Sequence, residues 1–384
     1  AMVNKERLKQ TFMELAAIDS VSGQESRISE KIREMLHAFD PEVYIDNAAE
    51  KTGSNTGNLI MKFAGTRDAP WLLLNAHMDT VEPGKGVEPG FSEGVFTSDG
   101  TTVLGADDKS AVAIIIETMR VIHENGLQCG PLELVFTVCE EIGLLGAKNL
   151  DYSMISSEYG YSLDTSDTGT IITKAPAANR FEIFVHGKAA HAGADPEKGI
   201  NAISIASKAI AGLELGRIDA DTTANIGIIE CDGATNIVPE KVRIKGEVRS
   251  HDPDKLERVS RQIIEAFEAE ANSFPMQDPG AGLPRISVDM ENEFPATLIQ
   301  EDHPVVRYAQ AAAQKLGRCL ASRRTGGGSD ANIFFEKGVV TGVIGTGMQE
   351  IHTVREWIRL DDMVKTVELL IEIIRMHAAG ETLK

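Results

Sequence analysis

The chain has little cysteine, few aromatic residues and no long apolar run. Its four cysteines, Cys129, Cys139, Cys231 and Cys319, stand far apart and form no CxxC pair. This excludes a disulfide framework and a thiol-rich zinc site, and it points to a reducing cytoplasm. Cys139 is read as a packing residue. No apolar stretch reaches the roughly 18 residues of a membrane span. The start, Ala-Met-Val-Asn-Lys-Glu, lacks the apolar core of a secretory signal, and Ala1 ahead of Met2 reads as an addition to the natural start. Positive charge is scarce too. Only 38 Lys and Arg face 58 Asp and Glu, a formal charge of -20, and no basic cluster is longer than Arg323-Arg324. Nucleic acid and anionic membrane are therefore poor partners.

What is present is an ordinary globular composition, 42% hydrophobic and 25% charged, over 384 residues, enough for a large core and two domains. Two helices are expected over residues 5–39, split near Asp19-Ser-Val-Ser-Gly; the second carries Ile28, Ile32, Met35 and Leu36 on one stripe. Residues 50–58 read as a polar glycine loop. Strands at 59–63, 72–76 and 132–137, a helix at 110–123, a helical segment at 143–149 and a strand stub at 161–163 follow. That alternation belongs to a crossover-built, mostly parallel or mixed sheet, with sites beyond the strand ends. Near residue 176 the character changes. Strands at 181–186, 223–230 and 242–248, with helices at 197–213 and from Asp252-Pro253 to about 271, make a compact α+β module. A strand, a helix at 304–316, the turn Gly326-Gly-Gly-Ser-Asp330, a strand at 339–344 and a last helix at 361–377 complete the chain. No internal repeat is visible.

Trp71-Leu-Leu-Leu-Asn-Ala-His77-Met-Asp79 is the stretch around which the chemistry gathers. A strand-length apolar run ends in a histidine and an aspartate two residues apart, on one side of the backbone. His77 backed by Asp79 suits a metal ligand with its orienting carboxylate, and a hydrogen-bonded pair closing a strand is the plain alternative. Asp107 follows Gly105-Ala106 at a loop-to-helix junction and is the best placed carboxylate to offer oxygens to two ions. Asp108 could ligate instead, or serve as a helix-start charge. Glu140-Glu141 leaves a buried strand as two adjacent, diverging carboxylates, which suits one ligand and one proton carrier. Asp164 ends a strand, and a turn cap is its alternative; His352, in Gln-Glu-Ile-His-Thr, could be a core histidine. His352 belongs chemically with His77. The first domain (1–175) is therefore expected to resume at 294–384, with 176–293 inserted into it.

The ordered set His77-Met-Asp79, Gly105-Ala-Asp107-Asp108-Lys, Glu140-Glu141, Tyr161-Ser-Leu-Asp164, Gly187-Lys-Ala-Ala-His191-Ala-Gly, Thr235-Asn236-Ile-Val-Pro, Gly326-Gly-Gly-Ser-Asp330 and Ile351-His352-Thr spans nearly the whole chain. It resembles the co-catalytic zinc aminoacylase and carboxypeptidase family of metallopeptidases, and within it the peptidase T (tripeptide aminopeptidase) branch. The resemblance implies an α/β fold: a three-layer catalytic domain with a mixed, mostly parallel sheet, and an inserted α+β lid and dimerisation domain. It implies two divalent ions per chain, zinc first, with manganese or cobalt as alternatives. Asp107 would bridge them, His77 and Asp164 completing one site, Glu141 and His352 the other. Glu140 would be the general base, Asp79 the residue orienting His77, and His191 a lid histidine reaching the oxyanion. Asn236, Arg249 and the turn glycines Gly327 and Gly328 would bind substrate. The implied activity is hydrolysis of short peptides from the amino terminus, tripeptides foremost, by a cytoplasmic homodimer. A dipeptidase, carboxypeptidase or N-acyl amino acid deacylase shares the same metal chemistry, and a metal-dependent peptide-binding protein is the reading outside enzymes.

Overall fold

The computed structural model describes residues 2–380; Ala1 lies outside them, as do residues 381–384. The chain forms two compact units. The first comprises the described residues through Lys174, Thr297–Thr325 and Ser329 onward; the second comprises Ala175–Ala296 and Gly326–Gly328.

In the first unit a nine-stranded mixed sheet runs in the order Glu42–Ile45, Leu59–Phe63, Leu132–Thr137, Leu72–His77, Tyr159–Thr165, Val340–Gly345, Thr170–Ala175, Thr297–Leu298, with Ala321–Arg324 beside Thr170–Ala175. The four central strands are parallel, with His77 opposite Thr137 and Leu72 opposite both Leu132 and Tyr159. Parallel strands covered on both faces read as continuous apolar runs, and every residue of Leu72–His77 is buried. Their carboxyl ends share one edge of the sheet, so His77, Thr137 and Asp164 arrive together. Neighbouring residues of a strand face opposite ways. Ile344 joins the main core with Leu163 and Ile171, while Val343 packs on Ile172 and Ala331 of the helix Asp330–Glu336. Helices thus lie on both faces, the main one covered by Ala106–Glu124, Leu360–Ala379, Lys5–Ala16 and Pro304–Lys315.

The second unit is a five-stranded antiparallel sheet, in the order Gly216–Arg217, Thr222–Glu230, Lys241–Ser250, Ala177–His186, Arg285–Phe294. Phe181, Ile183 and Val185 alternate inward and meet Val242, Ile244 and the helices Ala202–Ala211 and Pro253–Ser273. The longer helix starts where the sequence says it should. Asp252 accepts the N–H groups of Asp254 and Lys255, Pro253 fills the first turn, and Leu256, Val259, Ile263 and Phe267 form the buried stripe. Loss of such a cap costs about 1 kcal/mol.

Four expectations change. A short helix, Ala49–Thr52, occupies the start of the expected loop at 50–58. The strand Glu42–Ile45 was not foreseen, because it is only four residues long and all four are exposed. The helix expected at 197–213 begins only at Ala202, after the 3-10 turn Pro196–Lys198, because Asn201 supplies the cap by accepting the Ser204 N–H. Asp330 opens a helix, with Ser329 and Asn332 forming a reciprocal cap.

Candidate metal centre

His77 closes its strand with a ring that is 2% exposed. Its Nδ1 donates to the Asp79 carbonyl at 2.9 Å and lies 3.3 Å from Asp79 Oδ1, which leaves Nε2 as the ligating atom. Nε2 faces Asp107 Oδ1 at 3.0 Å. The other oxygen of the same carboxylate, Asp107 Oδ2, lies 3.1 Å from His352 Nε2. One carboxylate thus presents each oxygen to a different histidine. Asp107 and Asp108 interrupt the helical backbone at the head of Ala106–Glu124 (φ -83°, ψ 99° at Asp107), and the peptide between them is cis. Asp108 Oδ2 accepts the His77 backbone N–H at 3.1 Å.

Glu140 and Glu141 follow Cys139, whose φ of +52° bends the chain out of the strand Leu132–Thr137. Asp79 then holds both, Oδ1 accepting the Glu140 N–H at 2.9 Å and Oδ2 the Glu141 N–H at 3.1 Å. The two side chains diverge. Glu141 Oε1 lies 3.0 Å from His352 Nε2, and Glu140 Oε2 lies 3.9 Å from His77 Nε2. His352 sits in a turn at φ +62° and is half exposed.

Three overlapping sets of donors lie within 4.8 Å of one another: His77, Asp107 and Asp164; Asp107, Glu141 and His352; and His77, Glu140 and Glu141. Asp107 is common to the first two. Imidazole with carboxylate oxygen is the donor chemistry that suits zinc and its transition-metal neighbours. The electrostatics agree. Burial, then Asp164 and other carboxylates, push Glu140 well above the ordinary carboxylate range despite His77. Burial and Asp107 do the same to Asp164. Burial also raises Asp107, but His352 and His77 outweigh it and hold that carboxyl low; Asp107 and Glu141 in turn carry His352 up to about 10. A site with more buried negative charge than its histidines offset is one that divalent cations stabilise. The residues fit two such ions.

His191, Asn236, Arg249, Gly327 and Gly328 belong to the second unit. His191 is exposed. Its Nδ1 accepts the N–H groups of Gly193 and Ala194 at 3.2 and 3.1 Å, so the ring hydrogen is on Nε2. Asn236 is exposed on the neighbouring segment, where its carbonyl accepts the Ala192 N–H at 2.9 Å. Arg249 pairs with Glu247 at 2.9 Å, donates to the Gly326 carbonyl at 3.2 Å and lies over the Phe294 ring at 5.7 Å. A Cβ at Gly328 would come within 2.5 Å of that ring, so only glycine lets the turn approach. Arg249 and the glycine turn are therefore neighbours.

Sequence reasoning missed the carboxylates that hold the ligand-bearing backbone. Glu25 accepts the N–H groups of Gly23 and Cys139, both at 2.9 Å. Glu356 accepts three: Leu104 and Gly105 at 2.7 Å and Asp107 at 2.9 Å. Burial pushes Glu356 up to about 7, against the N–H groups that favour its charged form. Asp330, 1% exposed, is raised to about 6 by burial and accepts the Thr137 hydroxyl. Nothing in the local sequence sets Glu25 or Glu356 apart from a surface glutamate; Asp330 at least sits in a marked motif.

Fold and site together define a dinuclear-metal hydrolase: overlapping histidine–carboxylate clusters at the carboxyl edge of a mixed α/β sheet, with a second α+β unit inserted in the chain. The chain belongs to peptidase family M20/M25/M40, whose family model matches residues 73–376. It is 42% identical over 378 residues to the YqjE protein of Bacillus subtilis (strain 168), covering 98% of this chain and all of that one. The structure of an aminopeptidase PepT from Bacillus cereus ATCC 10987 superposes with a TM-score of 0.89 at 40% identity, covering 99% of this chain and 100% of that one. A tripeptidase from Staphylococcus aureus subsp. aureus mu50 gives a TM-score of 0.92 at 36% identity, with the same coverage. Among the described residues no helix is long and apolar enough to cross a membrane.

Proposed function

We propose that this metallopeptidase is an aminopeptidase that releases the first residue of short peptides, tripeptides above all. The observation that carries the hydrolytic chemistry is Asp107, each of whose carboxylate oxygens meets a different histidine, at 3.0 and 3.1 Å. The direction of cleavage and the peptide length rest on the likeness to the aminopeptidase and the tripeptidase.

Two ions, zinc before manganese or cobalt, would be held by His77, Asp107 and Asp164 and by Asp107, Glu141 and His352; when bound they supply Lewis acidity, lowering the pKa of water and polarising the scissile carbonyl. Glu140, whose Oε2 lies 3.9 Å from His77 Nε2, takes the proton of the attacking water and passes it to the leaving amine. Asp79 keeps the His77 hydrogen on Nδ1. His191, with Nε2–H exposed, donates to the developing oxyanion. Asn236, Arg249, Gly327 and Gly328 bind the peptide, the Arg249 guanidinium receiving its terminal carboxylate and so setting its length. A blocked or overlong peptide leaves a charge unpaired, which is how such a site rejects it.

The working form we infer is a homodimer through the inserted unit. Gly216–Arg217 covers only Thr223 and Ala224 of the strand Thr222–Glu230. The rest of that edge is unpaired within the sheet and carries the exposed Ile228 and Ile229, a natural seat for a second copy. A cytoplasmic location is supported by four free cysteines. The deciding experiment presents the zinc-loaded protein with free, N-acetylated and C-amidated di-, tri- and tetrapeptides and identifies products by mass. Release of the first residue from free tripeptides is expected. Preference for N-acetylated substrates, release of the last residue, or cleavage of dipeptides alone would instead indicate a deacylase, a carboxypeptidase or a dipeptidase. Binding without turnover would mean a peptide-binding protein.

A further inference from the structure

Asp107 and His352 meet at 3.1 Å, yet they come from backbone segments at opposite ends of the first unit's sequence. The His352 turn is closed at its foot by a pair of hydrogen bonds between Gln349 and Trp357, at 2.9 and 3.1 Å. Trp357–Arg359 then pairs with Val95–Thr97, in the segment that leads to Asp107. Glu356 sits at that foot, 1% exposed. Its Oε2 accepts the N–H groups of Leu104 and Gly105, and its Oε1 accepts that of Asp107. These residues lead into and begin the helical break that turns the Asp107 carboxylate toward both histidines. Three buried donors share two oxygens, an arrangement a carboxylate satisfies and an amide cannot. Gly105, at φ +77°, lets the backbone fold back onto that side chain.

We propose that Glu356 is a positioning residue for the metal centre: it ties the Asp107 segment to the His352 turn so that both ligands are set by one side chain. The proposal rests on the two-metal reading above. Carboxylates that orient ligands in this way are worth about 10- to 100-fold in metal affinity.

The test uses zinc as the probe. Wild-type, Glu356→Gln and Glu356→Asp proteins are stripped with chelator and titrated with zinc against a chromophoric competitor. Melting temperatures of the stripped and loaded forms are read in parallel. Wild type is expected to take two ions. Glu356→Gln should bind zinc about 10- to 100-fold more weakly, releasing first the ion held by Asp107, Glu141 and His352, and excess zinc should restore much of its activity. Glu356→Asp, with both oxygens one methylene short, should fall between the two. A merely structural glutamate would lower the melting temperature of the stripped form and leave zinc affinity alone; wild-type affinity in Glu356→Gln therefore overturns the proposal however far that temperature falls. If Glu356→Gln does not fold, wild-type affinity in Glu356→Asp overturns it equally. Fewer than two ions on the wild-type protein would defeat the dinuclear reading itself, a result distinct from any behaviour of the variants.

Discussion

Replacing Asp79 by asparagine separates the carboxylate's two duties with almost no change of shape. In the native protein Oδ1 faces the Glu140 N–H and His77 Nδ1, while Oδ2 faces the Glu141 N–H and the Ser22 hydroxyl at 2.6 Å. An amide must turn its NH2 toward one of these pairs. Facing His77 and Glu140 it would meet two hydrogens, since Nδ1 must keep its own to serve the Asp79 carbonyl. Facing Glu141 and Ser22 it meets one, because the hydroxyl can rotate to accept. The second orientation wins and leaves a single buried N–H opposed. The cost is about 1–3 kcal/mol, or about 5- to 150-fold in an equilibrium constant. It falls on Glu141, not on the base Glu140. Asp79→Asn should therefore bind zinc about 5- to 150-fold more weakly while keeping most of its turnover at saturating zinc. Asp79→Ala loses both side-chain acceptors of the Glu140 and Glu141 N–H groups while its backbone carbonyl still receives His77 Nδ1, and should lose metal affinity and turnover together. Competition titration and kinetics across free zinc concentrations read both quantities. Wild-type zinc affinity in Asp79→Asn, or a collapse of turnover that zinc does not relieve, would refute this account.

Glu140→Gln should keep two ions and near-normal KM yet lose most of its turnover, because the amide cannot accept the water's proton, whereas Glu141→Gln should weaken one metal; equal metal loss in both would reverse their roles. His377 gives a pH prediction. It is 2% exposed between Tyr159 and Tyr308, neither ring nitrogen has a hydrogen-bond partner among the described residues, and burial pulls its pKa down to about 4. A folded pKa below the unfolded value near 6.5 means the unfolded chain takes the proton first, so stability is whole above about pH 6.5 and falls by up to about 3 kcal/mol as pH drops to 4. His377→Phe should flatten that part of the curve in urea melts at pH 7 and pH 5; an unchanged slope counts against it. Ile229→Lys, at a residue 53% exposed on the free edge of the inserted unit, should yield a well-folded monomer by sedimentation; an intact dimer would place the interface elsewhere. Mixing Glu140→Gln with His191→Ala subunits would then show by recovered activity whether His191 acts across that interface.

The sequence made the ligands visible and left their supports hidden, for a physical reason. A metal ligand at the end of a buried strand breaks an apolar run, as His77 does after Leu72–Ala76, and such a break is conspicuous. The central strands of both sheets and their longer helices were legible for the same reason, since burial writes a period into the chain: a continuous run in Leu132–Thr137, alternation in Phe181–His186, a helical stripe in Leu256–Phe267. Glu25 and Glu356 write no period. Each is buried because distant backbone N–H groups converge on it, Cys139 on Glu25 and Leu104, Gly105 and Asp107 on Glu356, and that convergence is a property of the folded chain alone. The exposed strand Glu42–Ile45 escaped notice for a related reason, having no buried face to mark it. With Asp79, these carboxylates receive the N–H groups of the backbone just before Glu140, of Glu140 and Glu141 themselves, and of Asp107. Two of the backbone segments that bear the metal-centre side chains are thus fixed by buried anions rather than by strand pairing. The geometry of the centre is consequently set by a shell of acids, and its metal affinity should respond to isosteric amide substitutions in that shell more sharply than to cavities cut in the apolar core beneath it.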